Sequence, residues 1–320
     1  MTVFILVAGA FTGPHVWRDT AAYLAAGGAD VRTVALTGLG KGTGGPVEAV
    51  DLETHVADVL AVIDQVAAQG SGDIVLVGHD YGIHPVLGAA DRRAEVVARI
   101  VHLDSGMPRD GVPALAAVPD QRLREELAGG GRTAGEQPPP ARDGWSRWGS
   151  TAGLSEAALD GLTALAAPQP LGTLLQPLRL TGAVADVPVT GVLCTGNGPG
   201  IELVQLMVDM GEPALQTLAD PRVTFFELPT GHWPMLSCPA ELAGVLTEAA
   251  AGGGHRLKAP GTDGPPPASA AVPPRRPRTA PRTDREHRPV PGPGPHPAVV
   301  FVHGAPYPPA HGRRPGTGRP

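Results

Sequence analysis

The stretch from Asp73 to Ala90 constrains this chain more than any other. Ile74 to Val77 is a short run of β-branched and aliphatic residues, the pattern of a strand buried on both faces. Gly78-His79-Asp80-Tyr81-Gly82 follows at once, and a helix begins near Ile83 and runs to about Asp91. A strand that turns this sharply into a helix needs small residues two before and two after the tip of the turn. The tip residue is strained, and its side chain projects above the carboxyl edge of the sheet. Here the tip is Asp80.

The same alternation runs through the chain. Val3 to Val7 reads as a first strand, and Ala8 to Pro14 as a flexible loop. His15 to Ala26 follows as an amphipathic helix with Trp17, Tyr23 and Leu24 toward the core. Val31 to Leu36 is a second strand, and Thr37 to Gly42 is too rich in glycine to be regular. Asp51 caps a helix whose Leu52, Val56, Val59, Leu60, Ile63 and Val66 follow the 3.6-residue period. Val97 to Leu103 is a fourth strand, ending at Asp104. Val187 to Cys194 and Val223 to Leu228 are further strands, with helices over about 200–210 and from Pro239 to Ala251. Strand and helix in turn predict an α/β fold: a mainly parallel sheet of about six strands with helices on both faces. Ser105 to Asp186 breaks the rhythm with Pro138-Pro139-Pro140, Trp145, Trp148 and helical pieces at 155–167 and 171–178. An excursion of that length between two strands is a helical cap over the sheet's carboxyl edge.

Composition then divides the 320 residues. From Arg256 to Pro320 there are eleven Lys and Arg against three Asp and Glu, among many Pro and Gly. That tail charge of +8 within a chain total of −6 leaves −14 on the body. The division is a domain over 1–254 and a Pro/Arg-rich tail over 255–320 that cannot bury enough apolar surface to offset its ordering entropy. Ala298 to Gly304 resembles a strand followed by a His-Gly turn, and without partner strands it is expected to stay unordered. An acidic body argues against nucleic acid as a partner. No run approaches the roughly twenty apolar residues of a membrane span, and Cys194 and Cys238 make no disulfide framework. The expectation is a cytoplasmic protein, monomer or homodimer, acting on a small molecule with no metal and no cofactor.

Six stretches, taken in order, resemble the hydroxynitrile lyase and plant methyl-esterase branch of the α/β-hydrolase superfamily. They are Val7-Ala-Gly-Ala10, Leu36-Thr-Gly-Leu-Gly40, the Gly78–Gly82 turn, Leu103-Asp104, Val192-Leu-Cys-Thr-Gly-Asn197 and Gly231-His-Trp-Pro-Met-Leu236. The resemblance implies that the turn is that fold's nucleophile elbow. Three positions depart from it: Ala8-Gly9 stands for His-Gly, Asp80 for the serine nucleophile and Asn197 for the triad acid. An elbow aspartate resembles haloalkane dehalogenases and epoxide hydrolases instead.

The chemistry agrees with that division. A carboxylate attacking an ester carbonyl gives a mixed anhydride, higher in energy than the ester, whereas attack at saturated carbon gives an ordinary alkyl ester. Water activated by a histidine then cleaves this ester, and the oxyanion rests against the backbone N–H of Tyr81 and of Ala10 or Phe11. His232, in the loop after the last strand, is the natural base. Its orienting acid is Asp104 or Glu202, or is absent with Asn197 in its place. Trp145, Trp148, Trp233, His79, His84 and Asn197 are candidates for leaving-group or substrate contacts, since no tyrosine falls in the cap. The alternatives are Asp80 as a general base in a lyase, cyclase or esterase-like enzyme, and an inactive binding scaffold.

Overall fold

A computed structural model describes residues 1–39, 49–70, 72–129, 135–211 and 213–259. The first strand, β1 (Thr2–Val7), is buried along Val3–Val7 and sits inside the sheet, flanked by β2 (Asp30–Thr33) and β3 (Asp73–His79). β4 (Val97–Leu103), β7 (Val189–Cys194) and β8 (Val223–Leu228) extend the sheet on the other side in the order β2-β1-β3-β4-β7-β8. Every neighbouring pair is parallel. A strand with neighbours and helices on all sides has no solvated face, which is why β1 and β3 read as unbroken aliphatic runs.

Parallel pairing requires crossovers, and helices supply them. α1 (Arg18–Ala26) packs against α9 (Pro239–Ala250), and α2 (Leu52–Ala68) against α3 (Ile83–Arg92). α2 begins at a capping box: Thr54 N–H donates to Asp51 Oδ1 at 2.9 Å and Asp51 N–H donates to Thr54 Oγ1 at 3.4 Å. α7 (Ile201–Asp209) links β7 to β8, and the short α8 (Pro234–Ser237) precedes α9.

The cap leaves the sheet after β4 and returns at Val189. It contains α4 (Gln121–Gly129), α5 (Glu156–Leu165), α6 (Leu171–Leu175) and a small antiparallel ribbon of β5 (Glu136–Gln137) with β6 (Gln169–Pro170). Trp145, Leu162 and Leu174 join the main apolar core, so the cap is packed onto the domain. Its return is tied down by the buried Asp91 at the end of α3, whose carboxylate accepts from Thr181 N, Gly182 N and Val184 N.

Local details depart from the expected pattern. The helix expected from His15 opens as a 3-10 turn, Pro14–Trp17, and becomes α-helical only from Arg18. Tyr23 is 52% exposed instead of facing the core. The second strand ends at Thr33, with Val34 and Leu36 buried in the loop beyond. The body continues past Gly254: His255 exchanges two backbone hydrogen bonds with Phe225, and Leu257 is buried beside Val204 and Val208 of α7. Gly40–Gly42, most of the tail and the 298–304 segment lie outside the described residues.

A chain ending at Gly254 loses the His255 pairing and the burial of Leu257, a loss of about 2 kcal/mol for one fully buried leucine. It should therefore melt several degrees below a chain ending at Ala259, measured by circular dichroism of the two truncations side by side.

Candidate active site

Three strand ends build the site. Close packing explains the glycines of the first: a Cβ on Gly78 would stand 2.6 Å from Ile83 Cα at the start of α3, and one on Gly82 2.5 Å from Ala8 O just past β1. Between them Asp80 takes a φ of 48°, in the left-handed region that non-glycine residues rarely adopt. Asp104, one residue past β4, has a φ of 47°, and Phe11, in the loop after β1, has 62°. Among the described residues these three are all the non-glycine residues with positive φ. Each such residue costs about 1–3 kcal/mol, so the strain of this fold is gathered at one place above the carboxyl edge of the sheet.

Two of these strained residues, Asp80 and Asp104, face the same side chain, His232. His232 Nδ1–H donates to Asp104 Oδ2 at 2.6 Å, and His232 Nε2 lies 3.8 Å from Asp80 Oδ1. Asp80 Oδ2 accepts from Ala10 N at 3.2 Å. Asp104 Oδ1 accepts from Cys194 N at 3.0 Å, and its Oδ2 also accepts from Asn197 Nδ2 at 2.8 Å. The side chains of His232 and Asp104 are 5% and 7% exposed, whereas Asp80 is 27% exposed and thus open to a ligand.

Charge on the imidazole follows from this enclosure. Burial alone would lower the His232 pKa, but the hydrogen bond to Asp104 and the negative charges of Asp104 and Asp80 push it up to about 10. Burial would likewise raise Asp80, yet His232, the nearby His79 and the Tyr81 N–H hold its carboxyl well below the usual carboxylate range. At neutral pH the site is an imidazolium between two carboxylates. His79 takes no part in carrying charge: burial and the neighbouring His232 lower its pKa to about 4.

The cap closes over this arrangement. His232 N–H donates to Ser150 O at 2.8 Å and Gly231 N–H to Ala152 O at 2.9 Å, so cap residues 150–152 run alongside the histidine loop. Phe11 and Trp148 meet edge to face with ring centroids 4.5 Å apart, and Trp233 stands edge-on to His232 at 4.8 Å. Among the described residues no group of three or more His, Cys, Asp and Glu side chains is placed to hold a metal ion, and no helix is long and apolar enough to cross a membrane.

The elbow turn, the histidine loop and the six parallel strands coincide with one family. Residues 4–245 match the model of the alpha/beta hydrolase family. The chain belongs to that family and is a hydrolase. It is 32% identical over 257 residues to a carbendazim hydrolyzing esterase from Nocardioides sp. (strain SG-4G), covering 77% of this chain and 98% of the relative. Among solved structures it is similar to an extracellular alpha/beta-hydrolase from a Paenibacillus species, at TM-score 0.60 and 19% identity over 78% of this chain and 99% of that one. It is also similar to tomato methylketone synthase I, at TM-score 0.59 and 17% identity over 78% of this chain and 98% of that one. At such identities the structural likeness speaks for the fold.

Within this hydrolase the candidates separate by what their polar atoms already do. Asp80, His232, Asp104 and the Ala10 N–H come together, and Asp104 rather than Glu202 meets the imidazole. Phe11 is a correction: its N–H donates to Gln169 Oε1 at 3.0 Å and is not free for an oxyanion. Trp145 is another, because its indole N–H donates to Thr163 Oγ1 at 2.9 Å. Asn197, expected against substrate, has both ends of its amide committed to Asp104 and to Ser150 N. His79 Nε2–H donates to the His232 carbonyl at 2.7 Å and so braces the histidine loop. The Tyr81 hydroxyl turns away to His55 Nδ1 at 2.7 Å, and His84, buried, stacks on the Tyr81 ring. Residue order carried no sign of Gln169 or of the Ser150 segment, since both enter through the fold of the cap.

Because the folded-state pKa of His232, about 10, lies above its ordinary 6.5, its contribution to stability is complete below pH 6.5 and is lost as pH rises through about 10. Melting temperature followed from pH 6.5 to 10 should fall more steeply in the wild type than in Asp104→Asn, where one of the two partners of the imidazolium is gone.

Proposed function

We propose that this hydrolase acts on a small, largely apolar electrophile through a covalent alkyl ester on Asp80, which His232 then hydrolyses with Asp104 behind it. The observation that carries the reading is the unequal placement of the two Asp80 oxygens. Oδ2 is seated on the Ala10 N–H at 3.2 Å, while Oδ1 faces His232 Nε2 at 3.8 Å, beyond hydrogen-bond range. Oδ1 is thus the oxygen left to attack. Oδ2 waits where an oxyanion will form.

Attack of Oδ1 on a saturated carbon forms the C–O bond of an ester and expels the leaving group with its electron pair. The Asp80 charge disappears in this step, and with it part of what holds the proton on His232. The imidazolium releases that proton to solvent, matching the acid formed with the leaving group, and becomes a base at the stage that needs one. A water gives its proton to His232 and attacks the ester carbon, and the oxyanion on Oδ2 meets the N–H groups of Ala10 and Tyr81. Collapse breaks the bond from that carbon to the alkylated Oδ1, and the departing alcohol takes its proton from His232. The alcohol carries away an oxygen of Asp80.

Phe11, next to Ala10, and Trp148 of the cap pack edge to face and are buried, and this apolar packing beside the site supports the choice of a small apolar substrate. Free Cys194 and Cys238 agree with a reducing, cytoplasmic setting. A second reading is favoured by the esterase among its relatives: Asp80 as a general base activating water on a carbonyl substrate. The lowered pKa of Asp80 counts against it, because a carboxylate that holds its proton so weakly is a poor base.

Opening a substrate at saturated carbon with a stable leaving group needs no base, so His232→Gln should take up one alkyl group from a small bromoalkane and stall. Intact-protein mass spectrometry with peptide mapping should find the added mass on the peptide holding Asp80, and Asp80→Asn should gain none. In water labelled with heavy oxygen, a single turnover of the wild type should place the label in Asp80. Turnover of the bromoalkane by wild type without any adduct in His232→Gln would exclude the nucleophile and leave the general base.

A further inference from the structure

The Asn197 amide has a partner at each end. Nδ2 donates to Asp104 Oδ2 at 2.8 Å, the same oxygen that His232 Nδ1–H reaches at 2.6 Å. Oδ1 accepts from Ser150 N at 2.6 Å, and Ser150 O accepts from His232 N at 2.8 Å. Ser150, Asn197, Asp104 and His232 therefore close a hydrogen-bonded ring. Its members come from the cap and from the loops after β7, β4 and β8. Asn197 Nδ2 also stands only 3.4 Å from His232 Nδ1, so any change in the amide is felt at the imidazole.

We infer that, for the reaction proposed above, Asn197 is a positioning residue that shares Asp104 Oδ2 with His232, loosens the carboxylate's hold on the imidazole proton and binds the cap segment at Ser150 into the same ring. It touches no reacting atom and acts through Asp104. The physical reason lies in the crowding of donors on one carboxylate: Cys194 N–H takes Oδ1, and two donors divide Oδ2. Every hydrogen bond to the ionised form lowers a carboxylate's affinity for a proton, and with it the pull on a neighbouring imidazolium. An amide does this without adding charge. A second carboxylate in its place would stand against Asp104, and one of the two would take up a proton.

The titratable groups facing His232 are few. Asp80 and His79 come from the end of β3, Asp104 from the end of β4, and the ring centroids of His79 and His232 are 4.6 Å apart. Asn197, Ser150 and Trp233 surround the same ring without charge. Asn197 is thus placed to set how readily His232 gives up its proton once Asp80 is esterified. Without it the imidazolium persists and the ester lasts longer.

The test uses the full chain and needs no substrate for its first arm. Nitrogen NMR of labelled histidine gives the His232 titration in the wild type and in Asn197→Leu, with Asp104→Asn as a reference in which the His232 pKa falls. The expected result for Asn197→Leu is a rise of about half a pH unit or more. In the second arm, the Asp80 ester made with 1-bromobutane should decay with its acid limb moved to higher pH, while its rate of formation is unchanged. A folded Asn197→Leu whose His232 titration is unmoved or lowered overturns the inference, even if its melting temperature drops, since a merely structural role moves only the latter. Should Asn197→Leu not fold, Asn197→Ser, too short to reach both partners, is read by the same criteria. Failure of the nucleophile reading shows separately, as no adduct on Asp80 in any variant, and leaves the titration arm intact.

Discussion

Two carboxylates held on one buried imidazole are the interaction on which the rest of this site depends. An unpaired ion under a packed cap would be expelled or neutralised. Here the His232 charge is met on both nitrogens, by Asp104 at 2.6 Å and by Asp80 at 3.8 Å. The shorter contact fixes the ring, and the longer one leaves Asp80 Oδ1 without a tight partner. Because the pair is unequal, removal of the Asp80 charge need not disturb the orientation of the histidine. In the proposed reaction the same asymmetry would let His232 hold a proton in the resting enzyme and release it once Asp80 is esterified.

Backbone strain supplies the geometry that this electrostatic arrangement requires. Asp80, Asp104 and Phe11 all adopt left-handed φ at the ends of β3, β4 and β1. A parallel sheet brings these ends to one edge, and the left-handed turns leave the Asp80 and Asp104 side chains facing His232. The cost is met by packing elsewhere: β1, β3 and β4 are almost wholly buried, and α3 seats directly on Gly78. Phe11 is held on both sides by the cap, with Gln169 Oε1 accepting from its N–H and Ala167 N–H donating to its carbonyl at 2.8 Å. The cap is accordingly part of the site's framework as well as its cover. It reaches the loop after β1 through Gln169, and the acid and histidine through Ser150.

The fold and the two principal side chains were legible in residue order because each is carried by a local pattern. A buried aliphatic run, two glycines spaced around Asp80 and an apolar helix specify the elbow without help from distant residues. Gly231-His232-Trp233 follows the last strand in the same local way. The aliphatic runs also specify a parallel sheet, since only strands covered on both faces can be apolar on every residue. Tyr23 and the end of β2 differ from the sequence pattern for the complementary reason: periodicity says which face of an element is apolar, but not whether a neighbour is there to cover it.

What only the tertiary structure decided is how each polar atom is spent. Asp104 and His232 are 128 residues apart, and Phe11 and Gln169 158 apart. No local signal could choose Asp104 over Glu202, withdraw the Phe11 N–H or the Trp145 indole, or turn Asn197 from a substrate contact into a link between acid and cap. A hydrogen bond is short-ranged and directional. Its partner is therefore chosen by which loops the sheet brings within about 3 Å of each other, and that choice exists only once the chain has folded.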